Sequence, residues 1–129
     1  STLAALKNEG IVVAVDTGFD RQITDHLLHR MGWIGKKLVD VSVTSDEVIQ
    51  GRPFPDLIYR AMSLAQISDP ATVAKVGDTA SDIQEGKAAG CGWVIGVTTG
   101  AFSREALERH QPTQLIDQIP ELLPIFGID

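Results

Sequence analysis

The sequence predicts a single α/β domain: a parallel sheet with helices on both faces. Three observations carry this. Short apolar runs at 11–15, 39–43, 73–76 and 93–97 alternate with stretches whose apolar residues recur at helical spacing. A polar, glycine-bearing cluster follows each run: Asp16-Thr17-Gly18, Gly51-Arg52-Pro53, Gly77-Asp78-Thr79 and Thr98-Thr99-Gly100. And 129 residues, 43% of them hydrophobic and 22% charged, suffice for one core and place the chain among globular rather than disordered proteins.

The elements follow in order. Leu3 to Glu9 reads as the last turns of a helix, stopped by Gly10. Ile11-Val12-Val13-Ala14-Val15 is apolar and β-branched, which predicts a strand buried on both faces. Asp16-Thr17-Gly18 ends it. A helix is expected from about Asp20 to Met31, with Leu27, Leu28 and Met31 inward and Gly32 as its stop. Val39, Val41 and Val43 alternate with polar residues, the pattern of a strand nearer the sheet edge. The polar loop from Thr44 to Pro55 is long for an α/β connection, and such loops tend to carry function. Leu57, Ile58, Ala61, Met62 and Ala65 then recur at helical spacing. Asp69-Pro70 is a cap followed by a first-turn proline, enough for one short turn. Val73 to Val76 is the third strand. Thr79 to Ala89 is a helix closed by Gly90 in the left-handed conformation. Trp93 to Val97 is the fourth strand. Ser103 caps a helix running to His110. Gln114 to Ile116 is a short last strand, and Asp117 to Phe126 a closing helix with Pro120 early in it.

Composition excludes several classes. A net charge of −6 argues against a general nucleic-acid binder, which needs a basic footprint. A small phosphorylated substrate stays open, because a bound cation inverts the local field. The single cysteine, Cys91, has no disulfide partner and no metal-binding neighbours, and reads as a small buried residue at a strand start. Cytoplasmic location is the expectation that goes with it. No apolar run reaches the roughly 18 residues of a membrane span, and the first residues read as a helix end rather than a signal peptide. The chain opens on Ser1 rather than Met, which suggests a cut or processed start.

In parallel sheets, ligands sit beyond the carboxyl ends of the strands, where the polar clusters fall. Thr17 stands between a strand end and a helix start. Its hydroxyl and the free amides there suit a phosphate oxygen, or it is an ordinary cap. Arg52, held between Gly51 and Pro53, offers paired donors that match phosphate, or it is a solvated loop arginine. Asp78 and Asp82, four apart at a helix start, put two carboxylates on one face. That suits Mg²⁺, which binds through few carboxylates and several waters; the alternative is a cap and a surface acid. His26 and His29 share a helix face without a third ligand and read as surface residues. Trp33 and Trp93 read as core. Asp16 is a turn residue or stands behind the site. Gly96 and Gly100 do not form a dinucleotide fingerprint.

These residues resemble the haloacid dehalogenase superfamily, and within it the phosphonatase-like branch. Thr17, in Val15-Asp16-Thr17-Gly18-Phe19-Asp20-Arg21, matches its second motif, the Thr or Ser that binds phosphoryl oxygens. Arg52, in Gly51-Arg52-Pro53-Phe54-Pro55-Asp56, matches the third motif in the Arg form of this branch. Asp78 and Asp82 match the acidic Mg²⁺ loop. Thr98-Thr99-Gly100-Ala101 matches a loop after the next strand. The likeness spans about Ile11 to Leu123.

The resemblance implies a Rossmann-like three-layer core and Mg²⁺-dependent phosphoryl transfer through an aspartyl-phosphate. The substrate it implies is a small phosphate or phosphonate. It assigns Thr17, Gly18 and Arg52 to the phosphate, and Asp78 and Asp82 to the metal. The family's Asp-x-Asp strand, whose first Asp is the nucleophile, has no match: Glu9, Asp16 and Asp20 do not follow that pattern. The chain therefore reads as one partial core domain lacking the first central strand and the substrate-selecting cap, and as inactive alone. The alternative is a non-catalytic remnant that binds phosphate or protein. In the family the missing strand lies between those carrying Thr17 and Asp78. Its loss predicts that the edges at Ile11–Val15 and Val73–Val76 either pair with each other or recruit another chain, including a second copy. A receiver-like signalling domain fits less well, because Arg52 sits in the wrong loop for its lysine.

Overall fold

The strands pair in parallel, as the alternation of runs requires, but in two groups. Strand β1 (Ala14–Thr17) pairs with β2 (Val41–Thr44), Ala14 opposite Val41 and Thr17 opposite Thr44. Strands β3 (Ala74–Gly77), β4 (Trp93–Val97) and β5 (Gln114–Ile116) form a second sheet with β4 in the middle. The structure is a computed structural model and describes residues 1–128. The connecting helices are α1 (Thr2–Asn8), α2 (Arg21–Arg30), α3 (Asp56–Ala65), α4 (Ala80–Ala89), α5 (Arg104–Glu108) and α6 (Leu122–Ile125). Contacts of α3 with α4 and of α4 with α5 set these three helices side by side, and the right-handed rule for parallel crossovers assigns α2 to the opposite face. Helix α3 packs on β1, β2 and α4, helix α4 on β3, β4 and α5, and α1 on α6. This is the α/β, Rossmann-like layering that the sequence predicts.

Local chemistry sets the helix ends. The side chains of Ser1, Asp20, Thr79 and Ser103 accept hydrogen bonds from backbone amides of α1, α2, α4 and α5. Gly90 closes α4 at φ +79°. Leu57, Ile58 and Met62 turn inward from α3, and Ile58 and Met62 meet Ala89 of α4. On the second sheet Ile95, Val97, Ile116 and Leu122 form a core against which Trp93 and Phe126 pack edge to face. Each such Leu or Ile side chain contributes about 1.5–3 kcal/mol on full burial.

Five expectations change. The Ile11–Val15 strand is displaced: the ladder runs from Ala14, and Ile11 and Val12 are 37% and 42% exposed. Among the described residues β1 has one strand partner, and of its upstream apolar residues only Val13 is buried. On α2 only Thr24 and Leu28 are buried, and Leu27 and Met31 face outward, because this helix rests lightly on β2. The fifth helix stops at Glu108. The closing helix is a short turn at Ile119–Glu121 followed by α6: Pro120 is tolerated in the first turn, but Pro124 within α6 has no amide hydrogen to bond back to the Pro120 carbonyl. Last, β1 and β3 do not pair with each other. Direct pairing of the two edges is thus excluded in this structure.

Candidate functional site

Parallel register brings the carboxyl ends of β1, β2, β3 and β4 to one side of the molecule. A cavity of about 570 Å³ opens there, lined by Gly18, Ser45, Gly51, Arg52, Thr79, Ser81 and Phe102. Residues that follow strands of both sheets line it. Three hydroxyls, a guanidinium and glycine backbone face one aromatic ring.

The phosphate-clamp candidates come together at Gly18. A Cβ on Gly18 would lie 3.5 Å from Arg52 Nη2, so the guanidinium rests over this glycine. Arg52 Nη1 donates to Asp82 Oδ1 at 2.7 Å. Burial works to lower the Arg52 pKa, but the Asp82 carboxylate raises it above the ordinary arginine value, with Asp16 and Glu85 adding to the effect. Thr17 lies beside the cavity rather than among its lining residues, and its Oγ accepts from the Phe19 amide at 3.1 Å. The Ser45 hydroxyl donates to the Gly18 carbonyl at 2.8 Å. Arg21 braces the same corner, donating to Ser42, Asp25 and Glu47.

The two acidic candidates separate. Asp82 is 4% exposed and turned inward. Its Oδ2 accepts from the amides of Asp78 and Thr79 and from the Thr79 hydroxyl. Its Oδ1 takes Arg52 and lies 3.4 Å from Lys75 Nζ. Burial raises the Asp82 pKa, but Lys75, Thr79 and Arg52 outweigh it and hold the carboxyl below its ordinary value. Gly77 is required here, since a Cβ at that position would fall inside the Asp82 carboxylate. Asp78 instead stands exposed at the rim, its carboxylate against Gly100, where any Cβ would collide with it. So the expected single open face with two carboxylates is not what the fold builds. Among the described residues no three His, Cys, Asp or Glu side chains are arranged to hold an ion.

Behind the cavity lies a cluster of which the sequence reading singled out Asp16 but missed Lys75 and Glu85. Lys75 Nζ donates to Asp16 Oδ1 at 2.7 Å and sits 3.1 Å from Glu85 Oε1, without hydrogen-bond alignment. Glu85 is fully buried and neither carboxylate oxygen has a hydrogen-bond partner. Its burial, reinforced by Asp16, pushes the carboxyl up to about 8. Lys75 is driven down by burial and up by Asp16, Glu85 and Asp82; the carboxylates win and its pKa rises. A lysine inside a run otherwise fit for a buried strand was the available signal, since such a charge needs partners. His26 and His29 are exposed, and Cys91 is half-buried with its thiol pushed up to about 11 by burial.

Comparison with known proteins adds the family context. The family model described as haloacid dehalogenase-like hydrolase matches residues 1–97. Phosphonoacetaldehyde hydrolase of Bacillus cereus is 33% identical over 121 residues, 91% of this chain and 45% of that protein. The enzyme of the same name from Bacteroides fragilis is 38% identical over 125 residues, 94% of this chain and 47% of that protein. The chain thus spans about half the length of the curated relatives it matches. Among solved structures, one of a predicted phosphoglycolate phosphatase from Haemophilus somnus superposes with a TM-score of 0.87 at 25% identity, covering 98% of this chain and 54% of that one. No helix among the described residues is long and apolar enough to cross a membrane.

Proposed function

Since this chain belongs to the haloacid dehalogenase-like hydrolase family, on its phosphonatase-like branch, we propose that its 129 residues form one partial core domain that binds the phosphoryl group of a small phosphate or phosphonate. The observation that carries this is Arg52 lying over Gly18 in a cavity whose other lining is three hydroxyls, Gly51 and Phe102. Arg52 supplies charge and paired donors. The backbone at Gly18, at the entry to α2, and the Thr17 hydroxyl beside it supply the rest of the clamp. Asp82 positions Arg52 and the Asp78–Thr79 amides.

Mg²⁺ fits this donor set in part. Asp78 is the free hard ligand at the rim, and the ion keeps several waters when one or two carboxylates hold it. Asp82 then supports the metal loop from behind rather than through an open coordination bond. When bound, the ion neutralises charge on the transferring phosphoryl group. The residues described do the remaining work: Arg52 and the hydroxyls orient the anion, and Phe102 limits solvent on one wall.

The reacting group is another matter. Asp16 and Asp82, the carboxylates nearest the clamp, are already ion-paired to Lys75 and Arg52. We therefore read this chain as binding phosphate without turning it over, the nucleophilic carboxylate being supplied by other polypeptide. Titration calorimetry with inorganic phosphate, with and without Mg²⁺, tests this. Arg52→Ala is expected to weaken binding at least about ten-fold, with Arg52→Lys intermediate. Asp78→Asn is expected to remove the Mg²⁺ effect alone. Unchanged phosphate affinity in a folded Arg52→Ala protein, or steady hydrolysis of a phosphate ester by the 129 residues alone, overturns the reading.

A further inference from the structure

The two sheets share no backbone ladder, so hydrogen bonding between strands does not set the distance between their halves of the site. Side-chain contacts do so: the apolar packing of Ile58 and Met62 of α3 on Ala89 of α4, and ion pairs between the strands. The pair that crosses from one sheet to the other is Asp16 on β1 with Lys75 on β3, at 2.7 Å. Both side chains are 10% exposed. Water screens such a pair little, and its attraction is correspondingly stronger than at the surface.

Their places in the chain give the pair its consequence. Asp16 immediately precedes Thr17 and Gly18. Lys75 stands three residues before Asp78, on the short strand that leads into it. The lysine stem is held where it is: a Cβ on Gly86 of α4 would approach Lys75 Cβ to 2.9 Å, so the helix lies directly on it. From that fixed stem the ammonium reaches β1 through Asp16 and α4 through Asp82 and Glu85. The other crossing pair, Arg52 with Asp82, starts from a loop arginine that is 28% exposed.

We propose that Asp16 and Lys75 are positioning residues: a buried ionic latch that sets the separation of the phosphate clamp on the first sheet from the acidic loop on the second. Neither is among the residues that line the cavity, and each side chain, 10% exposed, is engaged with the other. They act through Thr17–Gly18 on one side and Asp82 on the other. The latch stands on the ion pair; its effect on phosphate rests on the reading given above.

The test measures the separation itself. Nitroxide labels are placed at Gln22→Cys on α2 and Ala88→Cys on α4, both exposed, in a Cys91→Ser background of the whole chain. Dipolar spectroscopy then reads the distance distribution. Lys75→Met and Asp16→Asn should each broaden it, the double variant should be no broader than either, and Lys75→Arg should restore the native width. Inorganic phosphate affinity should fall about ten-fold in Lys75→Met and stay within about two-fold in Lys75→Arg. An unchanged distribution in folded Lys75→Met, additive broadening in the double variant, or failure of arginine to rescue would each overturn the latch. If Lys75→Met does not fold, Asp16→Asn with Lys75→Arg decides the question on the same readouts. If the unsubstituted chain binds no phosphate but the distributions behave as described, the clamp reading fails and the latch stands.

Discussion

Glu85 has the most consequential chemistry of any single residue outside the cavity. It shares the interior with two cations, Lys75 and Arg52, and two ionised carboxylates, Asp16 and Asp82. A fifth charge would leave the cluster net negative in a dry environment, so Glu85 keeps its proton up to about 8. Its ordinary value is 4.5. Between those two values the folded chain binds a proton that the unfolded chain has released. Stability from this group is therefore complete below the lower value and lost as pH rises through the upper one. Asp16 and Asp82 behave oppositely: their carboxyls are held below the ordinary value, so their contribution is lost as pH falls through those depressed values. Glu85→Gln should remove the loss on the alkaline side. Urea midpoints measured at pH 5 and pH 9 should drop in the native chain and change far less in Glu85→Gln. Parallel drops in the two proteins would rule this out.

Among the elements, the start of α4 joins fold to site. Thr79 accepts from the Asp82 amide at its hydroxyl and returns a hydrogen bond to the Asp82 carboxylate, so one side chain caps the helix and holds the residue that holds Arg52. Thr79→Ala should cost about 1–2 kcal/mol of stability by loss of the cap, and should also loosen Arg52, seen as weaker phosphate binding. Thr79→Ser, which keeps the hydroxyl, should restore both. Equal phosphate affinity in Thr79→Ala and the native chain would separate the cap from the site. At this scale the sequence was largely legible, because caps and stops are local chemistry: Asp20, Asp69, Ser103 and Gly90 act where their residue types predict. The strand at Trp93–Val97 was legible for the same reason. What could not be read was which apolar residues are covered. Ile11, Val12, Leu27 and Met31 have core chemistry, yet their exposure depends on partners distant in sequence. The inward turn of Asp82 was hidden too. Spacing put it on a helix face with Asp78, and only the approach of Gly77, Lys75 and Arg52 decides which way that face looks.

For the whole molecule, the open question in physical terms is the space between β1 and β3. Each has one strand partner among the described residues, and the edges that face one another are not joined by backbone hydrogen bonds. Unsatisfied buried backbone groups cost about 1–3 kcal/mol apiece, and an unpaired edge is a template for another strand. The Asp16–Lys75 and Arg52–Asp82 pairs hold the sheets together but satisfy none of those amides and carbonyls. Two edges at a fixed separation, both parallel in direction, can be satisfied at once by a single strand laid between them, since flanking strands then stand about 9–10 Å apart. The prediction is that the isolated chain recruits such a strand, from a second copy when nothing else is offered. Light scattering across a range of concentrations should show association, and amide exchange at Ala14–Thr17 and Ala74–Gly77 should slow as it proceeds. Exposed Ile11 and Val12, just upstream of β1, would be covered in the same step. A monomer at every concentration, with rapid exchange along both edges, would mean that water satisfies the gap and that the edges are not a docking site.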